Sequence, residues 1–385
     1  MTAPSRRFRW SGLALAGVLT MTVELALVSP AAAASQLNCY LQDNLVSNGG
    51  VPADRVDANL VNAWGLSLSA ASFFWVSANG TGLAPLYTGT GQAGPIVVTI
   101  PAPPGSVGPS TPTGQVFNQF AATNPADFVV SSGGASGTSF FIFATEDGTV
   151  SGWNPTVPPG GFPVSTTAVL VVDNSAAGAV YKGLAIGGTS HGLFLYAANF
   201  HAGTIDVFDG QFHPAFFPPG AFVDPNLPDG FAPFNIQNLD GHLYVTYALQ
   251  NDAKHDDVAG PGNGWVDVFD TDGNLLDTVS AGGQLNSPWG LALAPDDFGP
   301  FSGDLLIGNF GDGFINAYRP LLGGGFFFDG ALRTDSGERV NIDGLWALVF
   351  GKGGNNNGPT NTLFFTAGPN EEKDGLFGKL DACIP

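Results

Sequence analysis

The 385-residue sequence predicts an all-β fold, a six-bladed β-propeller closed by the N-terminal strand of the mature chain. Three observations carry this. One strand grammar returns six times, at intervals of about 50 to 65 residues, as stacked repeats require. Gly 55 and Pro 29 punctuate strand-forming runs, so turns are many and the strands between them short. No amphipathic helical stretch follows the first 34 residues, and the two cysteines bracket the rest.

The start of the chain is set apart from the fold. Arg6, Arg7 and Arg9 precede a largely apolar run, Leu13–Val28, and then "SPAAAAS", with small residues where a signal peptidase cuts. Residues 1–34 therefore read as a secretory signal peptide. The apolar run is short and broken by Glu24, which disfavours a retained anchor, and no second spanning stretch follows. The twin arginine of "RRFRW" leaves the Sec and Tat routes both open. The expectation is a secreted protein, extracellular or periplasmic, without stable membrane insertion, whose single propeller domain spans 39–385. A net charge of −20 argues against a nucleic-acid partner and suits cations and cationic ligands.

Blade 1 is read from "NAWGLSLSAASFFWVSANGTGLAPLYTG", residues 62–89: an inner strand with Trp-Gly-Leu, a turn, an apolar strand ending in Ala-Asn, a Gly-rich loop and a third strand. Blade 2 is read from 126–155, with its inner strand starting at Phe128. Blade 3 follows at 181–210, blade 4 at 232–270, blade 5 at 287–320 and blade 6 at 343–380, anchored at Gly183, Phe234, Trp289 and Trp346. The runs "FFIF", "LFLY", "LLIG" and "LFF" are second strands, sandwiched between neighbouring blades because one four-stranded sheet cannot bury both faces alone. Blade 6 has three clear strands; "CYLQDNLVS" from the start of the mature chain supplies the fourth. That closure brings Cys39 near Cys383, and an even pair in an exported protein favours a disulfide. In the chain-entropy account a loop of this length adds roughly 5 kcal/mol.

Counting strands outward from the axis, the fourth-to-first and second-to-third connections emerge on one face. That face gathers Asn62, Glu146, Asn199, His201, Asn309 and Asp343 with the long loop "NDAKHDDVAGPGNG", which holds Lys254, His255, Asp256 and Asp257. Oxygen ligands from separate blades, Asn62, Glu146, Asn199 and Asp343, suit a divalent cation at the channel mouth, Ca²⁺ before Mg²⁺, Mn²⁺ or Zn²⁺. His255, His201 and Asp256 are the candidates for proton transfer, and Asp257, Lys254 and Asn309 for ligand binding. A bound cation polarises a carbonyl or lowers the pKa of a water.

Plainer roles compete for the same residues. An Asn after a second strand (Asn79, Asn199, Asn309) satisfies backbone groups in a tight turn, and Glu146-Asp147-Gly148 reads equally as a turn. Glu371, Glu372, Lys373 and Asp374 read as a solvated loop, and Trp64, Trp289 and Trp346 as inter-blade packing rather than a sugar platform. The Asp252–Asp257 stretch is longer than a strand-to-strand turn needs, which leaves a working site and a solvated loop equally open. No Gly-x-Ser-x-Gly elbow, Walker loop, His-Glu-x-x-His or paired-cysteine zinc pattern occurs.

"NLVNAWGLSLS", "FATEDGTVSGWNP", "YAANFHAGTIDVFD" and "AKHDDVAGPGNGWVDVFDTDG" resemble segments of an uncharacterised family of exported bacterial propeller-like proteins, some ending in a PEP-CTERM sorting tail. The resemblance covers essentially the whole mature chain, departs at the missing tail, and brings no established activity. More distantly, the repeat grammar is similar to NHL-type and gluconolactonase-like six-bladed propellers. That likeness implies a divalent metal held by Glu, Asn and Asp at the channel mouth, to which Glu146, Asn199 and Asp343 are chemically similar. Two functions are expected on these grounds. One is a secreted metal-assisted hydrolase (lactonase-like) or lyase acting on a small or carbohydrate ligand. The other is a non-catalytic extracellular ligand- or protein-binding scaffold using the same face.

Overall fold

The computed structural model describes residues 37–160 and 164–383; the predicted signal peptide lies outside them. Six sheets form the blades, antiparallel except for one short strand at the edge of the sixth. Their inner strands are Ala63–Ser67, Pro112–Phe117, Tyr181–Thr189, Phe231–Leu239, Pro288–Leu293 and Leu345–Phe350. Each lies beside the next, and the sixth returns to the first, so the ring is closed. Blades 1, 2, 4 and 5 have four strands, whereas blade 3 has three, ending at Thr204–Asp209. Blade 6 takes Tyr40–Ser47 as its outer strand against Leu376–Ala382, with Arg55–Val56 beyond it. Cys39 and Cys383 are disulfide-bonded there, 344 positions apart in sequence with Cα atoms 5.4 Å apart.

One boundary differs from the sequence reading. The inner strand of blade 2 is Pro112–Phe117, and Phe128 instead opens an inserted hairpin, Val129–Ser132 with Ala135–Thr138. The cause is composition: "PTGQVF" carries no apolar alternation, and its Gln115 turns onto blade 1. There its amide donates to Gly65 O and Trp75 O, 2.9 Å each, and its Oε1 accepts from Ser67 Oγ at 3.1 Å. Asp127, which directly precedes the Phe128 start read from the sequence, is therefore on the opposite face, beside Gly210 and Gln211.

The ring is tight where the inner strands carry glycine. A Cβ at Gly65 would stand 2.2 Å from Thr113 O, one at Gly114 2.5 Å from Leu184 N, and one at Gly290 2.6 Å from Trp346 O. Backbone of one blade occupies the space a side chain of its neighbour would need. Buried polar side chains then tie the blades across these contacts: Thr113 Oγ1 donates to Tyr181 O at 2.6 Å and Asn235 Nδ2 to Trp289 O at 2.7 Å. Gly290→Ala should therefore destabilise by about 1–3 kcal/mol, the range for overpacking a tight core. Denaturant titration checks this, and an unchanged midpoint would show that the ring dilates freely.

Candidate functional site

The channel is blocked at mid-depth. Trp64, Trp289 and Trp346 meet there with Phe200, Phe234 and Phe310 in one buried cluster. Trp346 stacks on Trp64 at 3.7 Å and on Phe310 at 4.0 Å between ring centroids. The tryptophans are thus packing residues. Beyond them, at the far end, lies a cavity of about 370 Å³ whose lining includes Gln115, Asn235, Asn238 and Lys352 but no carboxylate or histidine. The carboxylates gather on the near side.

At the centre of that near side is Lys182, in the inner strand of blade 3 and only 3% exposed. Its ammonium is 2.6 Å from Glu146 Oε1 and 3.7 Å from Asp256 Oδ1. It lies 5.1 Å above the Trp64 ring and 5.7 Å from that of Phe200, so the aromatic floor adds cation–π attraction. Glu146 is held from its other side by Asn79 Nδ2, donating to Oε2 at 2.8 Å. Asn62, left-handed at φ 48 just before the first inner strand, accepts from Trp346 Nε1 at 3.0 Å and donates to Glu372 Oε1 at 3.2 Å.

The long loop of blade 4 closes the mouth. Asn251 braces it, its Oδ1 accepting from His255 N at 3.1 Å while its backbone N–H donates to Asp256 O at 2.8 Å. His255 Nδ1 meets Asp256 Oδ1 at 2.8 Å. This bond, first, holds the Asp256 carboxyl down at about 2 and raises His255. Asp257 goes the other way: burial pushes its pKa up, and its Oδ2 has no hydrogen-bond partner among the described residues. Burial likewise raises Glu372, and the Glu146 charge adds to it.

The structure thus brings Asn62, Glu146, His255, Asp256 and Asp257 together around Lys182. Four other predicted positions are engaged elsewhere. Asn199 accepts from Val180 N and Ala202 N and donates to Asp206. Asp343 accepts from Asn370 N at 2.9 Å. The His201 ring lies against Gly178. Asn309 Nδ2 donates to Gln284 O and Asp312 Oδ1. Lys254 is exposed on the loop crest. Sequence reasoning gave no role to Lys182, although a lysine within the apolar run "AVYKGLAI" is itself a signal. It also placed Glu372 in solvent. Three successive left-handed residues, Asn370, Glu371 and Glu372, instead turn that side chain inward, leaving Glu371 and Lys373 outside as an exposed pair.

A divalent cation fits the chemistry of part of this set. Glu146, His255 and Asp256 each offer a ligand atom, all within 4.8 Å of one another. Lys182 holds the same two carboxylates, so an ion and the ammonium would share them. Asn199 and Asp343 are not among these donors.

No protein-family model matches the chain. It is 31% identical over 365 residues to "Uncharacterized protein R648" of Acanthamoeba polyphaga mimivirus, covering 92% of this chain and 83% of that protein. It is also 31% identical over 347 residues to "Uncharacterized protein L690" of the same virus, covering 87% and 84%. Among solved structures a glucose dehydrogenase superposes with a TM-score of 0.51 at 14% identity, over 89% of this chain and 100% of that one. This last likeness is one of fold.

Two outcomes follow from the geometry. Lys182→Met strands Glu146 as a buried, unpaired charge and should cost about 3–5 kcal/mol. Adding Glu146→Gln should restore part of that loss, and a strictly additive double-mutant cycle would show that the two do not interact. The His255–Asp256 pair has a pH window. The lowered Asp256 contributes stability above its unfolded value of 3.8, lost as pH falls toward about 2. The raised His255 contributes fully below 6.5, and this is lost as pH rises through its folded value. The joint contribution is therefore greatest between these two unfolded values. With side chains 46% and 62% exposed it is small after screening. In chelator, the Tm difference between wild type and Asp256→Asn should peak in that window; a flat difference contradicts the pairing.

Proposed function

We propose, from the premise that the chain belongs to the family of the mimivirus proteins R648 and L690, that the channel mouth is the active site of a small-molecule hydrolase, lactonase-like, or of a lyase. The observation that carries this reading is the convergence of Glu146, His255 and Asp256 on the buried Lys182 ammonium. An arrangement that serves only folding has little reason to set a buried lysine among several carboxylates over an aromatic floor. Neighbouring carboxyls with opposed tendencies, Asp256 ionised and Asp257 and Glu372 pushed up, support acid and base roles within reach of one ligand.

In this reading Glu146 and Asp256 would hold a divalent cation with a His255 nitrogen, Ca²⁺ by oxygen preference, with Mg²⁺, Mn²⁺ or Zn²⁺ as the other candidates. When bound, the ion supplies Lewis acidity toward a carbonyl or a water. Lys182 fixes the two carboxylates and offers a positive charge to a developing oxyanion. His255, with Nδ1 on Asp256, has one ring nitrogen left, which would move the proton where Glu146 and Asp256 hold the ion without it. Asn62 and Asn79 orient Glu372 and Glu146. Export belongs to the proposal as well; the Cys39–Cys383 bond suits an oxidising compartment. Among the described residues no helix is long and apolar enough to cross a membrane.

A panel of lactones and esters, assayed with protein purified without chelator, tests this. Glu146→Gln and His255→Ala should each slow turnover by about 10²-fold or more and lower the divalent-metal content relative to wild type. Undiminished turnover in both variants removes these residues from the chemistry. No turnover on the panel, with metal content equal in wild type and variants, leaves the non-catalytic binding scaffold instead.

A further inference from the structure

A second group of oxygens lies away from the channel, between blades 3 and 4. Blade 3 lacks a fourth strand, and residues 210–230 run across its outer edge instead. Phe217 and Phe222 anchor that segment: Phe217 on Phe194 at 5.3 Å, Phe222 on Tyr196 at 5.6 Å and on Phe269 at 5.8 Å. The Phe222 backbone N–H also donates to Gly273 O at 2.8 Å.

Under this segment the sheet of blade 4 presents Tyr247 and Asp267. Tyr247 pairs with Trp265 across the ladder, and Asp267 follows two residues later on the same face. Asp267 is fully buried. Its Oδ1 accepts from Trp265 Nε1 at 3.0 Å and Thr278 Oγ1 at 2.8 Å, while Oδ2 has no partner among the described residues. Asp224, in the covering segment and 6% exposed, repeats the pattern. Its Oδ1 accepts from Asn226 N and Nδ2 at 2.8 and 3.1 Å, and Oδ2 has no partner among those residues. The buried Tyr247 hydroxyl is the third oxygen left over.

Phe222 packs on Phe269, which shares a face with Asp267 and Tyr247, so Asp224, two residues on, is brought to that face. Burial, first, raises Asp267 to about 7, and Asp224 adds to it; burial and then both carboxylates raise Tyr247. Two carboxylates taken out of water without a counter-charge are costly. One shared proton neutralises only one of them, and a water neutralises neither. A hard cation satisfies both: carboxylate oxygens are the donors it prefers, with the Tyr247 hydroxyl and waters left to complete its shell.

We propose that Asp224, Asp267 and Tyr247 form a structural site for a hard divalent cation, calcium by its donor chemistry, which pins the 210–230 segment to blade 4. The site shares no residue with the channel mouth, so its fate is independent of the function proposed above.

The test uses the full chain, stripped with chelator and titrated with CaCl₂ alone. With the channel-mouth donors removed by Glu146→Gln and His255→Ala, calorimetry should still find one Ca²⁺ per chain. Chelator should lower the Tm of that variant by about 5 °C, and cleavage of the 210–230 segment by a protease should accelerate. Adding Asp267→Asn should abolish all three effects. Should that protein not fold, Asp224→Asn, in the covering segment, takes its place. No Ca²⁺ uptake in the channel-mouth variant, or undiminished uptake after Asp224→Asn, overturns the proposal. So does a Tm that rises in Asp267→Asn and ignores chelator, because the pair then shares a proton.

Discussion

Everything at the channel mouth depends on how closely six inner strands approach one another. At Gly65, Gly114 and Gly290 the neighbouring backbone fills the place of a side chain. A wider ring would pull Trp64 off Trp346 and open the floor on which Lys182 rests. It would also separate donors that no single segment supplies. Glu146 comes from blade 2, Lys182 from blade 3, His255 and Asp256 from blade 4, Asn62 from blade 1 and Glu372 from blade 6. A repeat with small differences in its loops becomes a site only through that convergence.

The charge balance of the mouth follows from its depth. One lysine, nearly inaccessible, faces Glu146 and Asp256 directly, with Asp257 and Glu372 near enough to feel it. Asp256, bonded to His255, stays ionised; Asp257 and Glu372, in which burial outweighs the bonds they make, are driven toward their neutral forms. Proximity in sequence does not decide which is which. Asp256 and Asp257 are neighbours along the chain, yet one meets His255 and the other turns under the loop.

The architecture was legible because its signals are redundant. Trp-Gly-Leu, the apolar second strands and the Gly-rich returns recur in several copies, so a weak copy is corrected by strong ones. Blade 2 shows where this stops: its inner strand exchanges apolar alternation for Gly114 and Gln115, and an inserted hairpin supplies a more strand-like decoy at Phe128. The site was legible in part for a different reason. Topology assigned loops to a face and so found Glu146, His255 and Asp256, but a face is not a point. Asn199 and Asp343 share the face and bond within their own blades or loops. Lys182 and Glu372 depended on side-chain direction, which the strand pattern of one and the left-handed turn of the other determine only in three dimensions.

The aromatic barrier across the axis carries one more implication. A ring of blades is open at both ends, but here Trp64, Trp289, Trp346 and Phe310 stop traffic between them. In the function proposed above, a ligand entering beside Lys182 would have to leave by the same door, so arrival and departure would compete for one passage. The loop of residues 251–257, set at that door, would then govern how long such a ligand stays.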